Sequence, residues 1–197
     1  MRATVILLVL LCLAGALHHC AQRPLEPPPG LLAGESPRQT DPVDRASIVH
    51  GDFELEPLAD FSLEARVLSR HDYAFDTESA LAPTDLALGW GRMSDSAVLD
   101  HLEIAQSARF YSYRWSDQPP LPPAEIVRSS ANMHLIPADA AVARAIARVR
   151  VGAIVALRGH LVEARRADGW RWRSSLTRED SGAGACELVL VDALETR

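Results

Sequence analysis

The feature that most limits what this chain can fold into is a hairpin pattern in its C-terminal quarter. Residues 154–164 and 170–176 form two strand-length runs on either side of the loop 167–169. Gly169 stands where a tight loop between antiparallel strands needs a positive φ. Gly152, just before the first run, opens an alternating stretch that resembles a strand of an OB-type barrel. The pattern predicts an antiparallel strand pair in this part of the chain.

Strand signals dominate the rest of the folded region. Phe61, Leu63, Ala65 and Val67 alternate with polar residues, which is the period of a half-buried strand. The other segments predicted to be extended are residues 53–55, 109–115, 125–128, 132–136 and 186–192.

Two short helices are predicted between these strands. Ser94 or Asp95 is a suitable N-cap for the first, and Pro137 begins the second. The apolar face of the second helix would consist of Val142, Ala145, Ile146 and Val149. The sequence therefore predicts an α+β domain with two short helices. Its sheet would be small, curved and antiparallel, or a partly open barrel in which OB-like strands are one option.

The first 21 residues have the layout of a targeting segment. Arg2 precedes a nearly uninterrupted apolar run at residues 3–17. Three interpretations stay open: a signal peptide cleaved after Ala16, a retained membrane anchor, and a lipoprotein signal at Cys20. The run is short for a spanning helix, and His19 is large for the residue before a lipidated cysteine. The segment predicts an exported protein that is periplasmic or anchored to the inner membrane by its N-terminus.

A proline-rich stretch follows at residues 22–49. It contains six prolines and few large apolar residues, so it is predicted to be a disordered linker. Residues 50–197 then form a single globular α+β domain.

The composition of the basic residues excludes several kinds of chemistry. All 20 are arginines, because the sequence contains no lysine. Schiff-base formation, a pyridoxal phosphate site, a Walker lysine and a Ser-Lys dyad all require lysine. The histidines and cysteines also lack the spacings that are typical of zinc sites. The sequence therefore predicts no cofactor and no metal.

Four segments of the domain form a recognisable set: residues 85–91 (DLALGWG), 129–134 (SSANMH), 173–178 (RSSLTR) and 184–187 (GACE). They resemble a group of exported or membrane-anchored bacterial proteins that has no established activity. The resemblance extends over most of the folded domain. It implies a location and an approximate domain boundary, and it implies no function.

Cys186 is the sharpest candidate for a catalytic residue. It follows the small-residue loop 182–185, whose backbone N–H groups could receive an oxyanion. A small Cys/His thiol hydrolase would also need a base and an orienting amide. The candidates are His134 or His160 for the base and Gln106 or Asn132 for the amide.

The alternative is that Cys186 is a buried, inert thiol. Cysteine is among the most buried residue types, and this one begins an apolar strand. Cys186 shares a strand face with Leu188, while Glu187 lies on the other face. The charge on Glu187 predicts that its face is the wetter one and that Cys186 points inward.

Charge is unevenly distributed along the chain. Residues 35–103 carry 15 acids and 5 arginines, whereas residues 144–178 carry 9 arginines and 2 acids. The second block holds Trp170 and Trp172, interleaved with arginines. It could bind phospholipid headgroups, anionic glycans or single-stranded nucleic acid. The ligand-binding candidates are Trp90, Arg171, Arg173 and Arg178.

Both parts of this interpretation have a structural alternative. The tryptophans could be core residues and the arginines could pair with the acidic first half. Trp90, between two glycines, is likewise either a ligand-stacking ring or a core ring. Export and the net charge of −6 disfavour nucleic acid.

The sequence thus favours a non-catalytic binding or accessory domain at the bacterial cell envelope. Its partner would be a protein or an anionic envelope ligand. The thiol hydrolase centred on Cys186 is the alternative.

Overall fold

The computed structural model describes residues 23–180, 182 and 185–197. The predicted targeting segment, with Cys12 and Cys20, lies outside the described residues, as do Ser181 and, within the predicted oxyanion loop, Ala183 and Gly184. Within the described ranges, no helix has the length and apolar character needed to cross a membrane.

Strands are the commonest regular structure in the described chain. They are β1 (Arg38–Thr40), β2 (Ile48–His50), β3 (Phe53–Asp72), β4 (Thr84–Gly89), β5 (Glu103–Ser107), β6 (Phe110–Arg114), β7 (Ser130–Pro137), β8 (Ile154–Arg166), β9 (Arg171–Arg173) and β10 (Glu187–Thr196). The helices are α1 (Ser96–Leu99), α2 (Pro123–Arg128) and α3 (Ala140–Ala147), with 3-10 turns at Glu78–Ala80 and Gly91–Ser94.

Eight of these strands form one large mixed sheet, and β5 and β6 form a separate hairpin. The order in the large sheet is β1-β3-β4-β7-β10-β8-β9, with β2 also on β3. The long strand β3 pairs with β8 from Phe53 to Arg66 and with β4 from Arg66 to Asp72. The sheet therefore curls into a partial ring that is not a barrel. The mixed αβ class is as predicted, but the sheet is larger than the small one expected. It is also not wholly antiparallel, because β7 and β10 run parallel.

The main core lies inside this curved sheet. Phe61, Leu63, Ala65 and Val67 all face it, so the alternation in the sequence identified the buried face of β3. Helix α3 packs against the core through Val142, Ala145 and Ile146, and Val149, just after the helix, continues the same apolar face. The apolar spacing in the sequence predicts these contacts.

Three features differ from the sequence prediction. Residues 125–128 are helical in α2, because Pro123 at the first helical position favours a helix start. This gives three helices in the described chain where two were predicted. Strand β4 was not predicted, because all six of its residues are buried and it shows no alternation.

Two hairpins cover the outer face of the sheet. Trp170 and Trp172, from the β8–β9 hairpin, pack against a cluster that includes Leu188 of β10. Gly169 has a φ of +91° in that hairpin, which confirms the predicted turn. The β5–β6 hairpin packs with Tyr111 and its neighbours on the adjoining part of the same face.

The proline-rich segment, expected to be a disordered linker, instead lies extended along the domain. Leu25 N donates to Val151 O at 2.8 Å, Ala33 is 1% exposed, and β1 pairs with β3. Gly152 fits this contact closely: its φ is +86°, and an added Cβ would lie 2.0 Å from Leu25 O. Proline keeps the segment extended, and long-range backbone contacts hold it in place.

Candidate functional site

Four polar residues lie together across three adjacent strands. Asp85 is on β4, Asn132 and His134 are on β7, and Cys186 directly precedes β10. Asn132 and His134 are two apart and share a face, and Asp85 pairs with His134 in the strand register. Their strand neighbours point into the main core, so these side chains lie on the outer face. Asp85, Asn132 and His134 are nevertheless buried, because the two hairpins cover them.

The tip of the β5–β6 hairpin brings Arg109 onto this polar group. Its guanidinium donates to Asp85 Oδ1 and to Asp76 Oδ1, each at 2.9 Å, and lies 3.7 Å from the centroid of the Tyr73 ring. Ala108 and Arg109 have φ values of 48° and 67°, in the left-handed region that non-glycine residues rarely occupy. The contacts of the guanidinium offset this backbone strain.

Asn132 joins the predicted catalytic residues to one another. Gln106 Nε2 donates to Asn132 Oδ1 at 2.6 Å. Asn132 Nδ2 in turn lies 3.0 Å from Arg109 O and 3.9 Å from Cys186 Sγ. The structure therefore brings Cys186 and Gln106 into one cluster, although both contact Asn132 rather than each other.

His134 has different close partners. Its Nδ1 lies 2.8 Å from Asp85 Oδ1, within ion-pair distance but without the alignment of a hydrogen bond. Its ring packs on Trp172 with the centroids 4.6 Å apart. Among the described residues, no hydrogen bond joins His134 to Cys186. His134, the base that a thiol hydrolase would need, borders the same cleft as Cys186 but does not activate it through a hydrogen bond.

The thiol of Cys186 is not activated in this arrangement. Burial raises its pKa above the ordinary value of 9.0, and the nearby Asp85 carboxylate raises it further. The contact with Asn132 opposes this shift and is too weak to reverse it. Cys186 is therefore a neutral thiol at pH 7, and the thiolate required for nucleophilic attack is scarce.

The predicted orientation of the strand at Cys186 is wrong in one respect. Glu187 is only 1% exposed, whereas Cys186 is half-buried. The charged residue is therefore less exposed to solvent than the cysteine. The reason is an ion pair: Arg178 reaches the Glu187 carboxylate from the preceding loop. Arg178, expected to bind ligand, also donates to Gln39 Oε1 at 2.6 Å and lies over the Phe61 ring. It therefore closes one end of the core.

Arg171 and Arg173 surround a second buried carboxylate, Glu163. Arg171 Nη2 and Arg173 Nη1 each lie 2.6 Å from a Glu163 oxygen, and Arg165 Nε lies 2.7 Å away. Burial by itself would raise the pKa of Glu163, but the hydrogen bonds from the three arginines outweigh it and lower the pKa to about 2. The Glu163 side chain is fully buried, while those of Arg171 and Arg173 are 62% and 53% exposed.

An open cleft of about 400 Å³ separates the two hairpins. Its walls are Glu78, Arg109, Phe110, His134, Trp170, Arg171, Trp172, Arg173 and Cys186. We call it the tryptophan cleft. Both tryptophans are half-buried, so their rings support the fold and still border the cleft. Arg109 Nε is buried there with no hydrogen-bond partner among the described residues.

The remaining predicted residues lie elsewhere. Trp90 is 2% exposed and belongs to the main core. His160 lies between Asp60 and Asp192, at 2.9 Å and 3.2 Å, away from Cys186. In the part of the chain that the structure describes, no group of three or more histidine, cysteine or acidic side chains is placed to hold a metal ion.

Sequence reasoning missed Asp85, Arg109 and Glu163. Asp85 carried a usable signal, because it is the one charge within the apolar run of β4. A lone charge in a buried strand requires a partner. That the partner is Arg109 could not be inferred, since the pairing depends on the folding of a hairpin beyond the strand. A scan against known protein families, a search of curated proteins and a search of solved structures each found no match.

Proposed function

We propose that this chain is a non-catalytic binding domain of the bacterial cell envelope and that its ligand is an acidic saccharide held in the tryptophan cleft. The observation that carries the proposal is the composition of that cleft. Trp170 and Trp172 border it, and Arg171 and Arg173, which alternate with them along the chain and are more than half exposed, line it as well. Aromatic rings can stack on the apolar face of a sugar ring, and arginines pair well with carboxylates.

The charge balance at the cleft supports an anionic ligand. Arg165, Arg171 and Arg173 share the single buried carboxylate of Glu163, with Glu56 as a further partner of Arg165. Among the residues that line the cleft, three arginines, Arg109, Arg171 and Arg173, accompany one acid, Glu78. Glu163 also fixes the positions of Arg171 and Arg173, so binding would cost less conformational entropy than it would with free arginines.

The strand order supports an OB-type interpretation of the sheet. Strands β3, β4, β7, β10 and β8 follow one another around the partial ring, and β8 returns to β3. OB-type domains bind oligosaccharides or oligonucleotides on their second and third strands and on the loops after strands one and four. The corresponding elements here are β4, β7, loop 73–83 and loop 167–186, and all four contribute to the cleft or to its floor. The net charge of −6 and the predicted export favour the saccharide.

Calorimetric titration of the full chain tests this proposal. The probes are oligomers of glucuronic acid and, as the neutral control, glucose oligomers of the same length. We expect saturable binding of the acidic probe only, weakened by salt. Trp172→Phe and Arg171→Gln should weaken binding, whereas Trp115→Phe, in the other hairpin, should not. No binding of the acidic probe, or equal binding of both probes, would contradict the proposal.

One observation favours the thiol hydrolase as a second candidate. Cys186 and His134 both border the tryptophan cleft, and Asp85 lies next to the histidine. Alkylation by iodoacetamide separates the two functions. A binding domain predicts slow alkylation at neutral pH that accelerates only above the ordinary thiol pKa of 9.0. Rapid alkylation at neutral pH that is lost in His134→Ala would favour the hydrolase.

A further inference from the structure

A basic surface lies at the end of the domain where the described chain begins. Arg144 and Arg148 are exposed and four residues apart at the C-terminal half of α3, and Arg150 follows shortly after. Leu25 N donates to Val151 O at 2.8 Å, which places Arg23 beside the same loop. We call these four arginines the α3 basic surface.

These four arginines lie close together and, like Arg38 and Arg45, lack carboxylate partners in the described chain. Ten other arginines in the described chain form ion pairs with carboxylates. None of the four in the α3 basic surface lies within ion-pair distance of a described carboxylate. The acidic groups nearby are Glu26, which is exposed, Asp72, which pairs with Arg70 beside the end of α3, and Asp139, whose carboxylate caps the other end of α3. The surface therefore keeps a positive excess.

The chain that precedes this surface is apolar. Residues 3–17 form the apolar run of the predicted targeting segment, and residues 18–22 separate it from Arg23. An extended chain spans ~3.5 Å per residue, so the connection reaches roughly 20 Å at most. A membrane entered by the apolar run would lie within that distance of the α3 basic surface.

We propose that the α3 basic surface docks on anionic phospholipid headgroups and holds the domain against the membrane. Each arginine near an anionic bilayer contributes a separate attraction, which salt weakens over about a Debye length. The docked face is distinct from the tryptophan cleft, so this inference does not depend on the saccharide proposal.

Vesicle binding of the full chain tests the inference. The vesicles contain phosphatidylcholine alone or phosphatidylcholine with phosphatidylglycerol, and the quantity compared is the ratio of the two affinities. The apolar segment contributes to binding in both lipids, so the ratio reports on charge. We expect a ratio well above one at low salt that falls as salt is added. Arg144→Gln combined with Arg148→Gln should lower the ratio by roughly 30-fold.

A matched control variant removes two arginine charges from another part of the surface. Arg38 and Arg45 are exposed and form no ion pair in the described chain, so Arg38→Gln combined with Arg45→Gln should leave the ratio unchanged. The single variant Arg148→Gln should give an intermediate ratio, which separates docking from misfolding of the double variant. A wild-type ratio near one, equal losses in the two double variants, or no loss in the α3 variant would each overturn the inference.

Discussion

Two buried carboxylates flank the tryptophan cleft, and their surroundings differ. Asp85 has one guanidinium partner, Arg109, whose side chain is itself only 14% exposed. Glu163 has three guanidinium partners, whose side chains are between 46% and 62% exposed. Both carboxylates are completely buried, so each must be neutralised locally.

The difference separates a cluster that is internal to the fold from one that is open to solvent. The contacts of Arg109 with Asp85 are internal, and they offset a strained turn at Ala108 and Arg109. The arginines around Glu163 keep about half of their side-chain surface open to solvent. We infer that the Asp85 cluster is mainly structural and that the Glu163 cluster serves recognition.

The largest expected effect comes from removing the one guanidinium partner that Asp85 has in the described chain. Arg109→Ala leaves a fully buried carboxylate without its guanidinium, so we expect the free energy of unfolding to fall by about 3–5 kcal/mol. Arg114→Ala, in the same hairpin, removes an 81% exposed side chain that lies 3.5 Å from Glu103. That control should change stability by less than about 0.5 kcal/mol. Urea denaturation measures both, and equal losses would remove the distinction between the clusters.

The second expected effect concerns the partners of Glu163. Changing Arg171 and Arg173 together to Ser leaves this carboxylate with Arg165 alone, so we expect a loss of about 2 kcal/mol. The single variant Arg171→Gln should lose much less, because two guanidinium groups remain. Thermal melting that is unchanged in the double variant would mean that the two arginines are ordinary surface residues.

The third expectation is that the ionisation of Glu163 makes the free energy of unfolding depend on pH. Its pKa is lowered from 4.5 to about 2 in the folded chain, so the folded state favours the ionised form. The stability contributed by this group is therefore present above about pH 4.5 and is lost as the pH falls toward 2. The stability difference between wild type and Glu163→Gln should shrink over that interval. A difference that stays constant down to pH 2 would contradict the ion-pair account.

The smallest expected effect tests the strain at the Asp85 cluster. Ala108→Gly relieves a left-handed backbone but adds freedom to the unfolded chain, so we expect a net gain of only about 0.5 kcal/mol. Gly169→Ala, in the β8–β9 hairpin, should instead destabilise by about 1 kcal/mol, because φ is +91° there. A loss of stability in Ala108→Gly would show that the β5–β6 turn is not strained.

Local patterns in the sequence predicted the elements that depend on local physics. Alternation identified the buried face of β3, Asp95 caps α1, and Gly169 forms the expected turn. Strand β4 carries no such pattern, because burial of all six residues removes the alternation. Gln106 and Cys186 both contact Asn132, and His134 borders the same cleft as Cys186. The charges that control them, Asp85 and Arg109, meet through a long-range hairpin contact that no local pattern encodes.

The most direct test of the central claim is an NMR titration that follows the indole N–H signals of the tryptophans. The probe is an oligomer of glucuronic acid, and single Trp→Phe variants assign the signals. Binding in the tryptophan cleft predicts saturable shifts for Trp170 and Trp172. The signals of Trp90, in the main core, and of Trp115, beside the β5–β6 hairpin, should stay in place. Shifts confined to Trp115, or no shift at any tryptophan, would contradict the account.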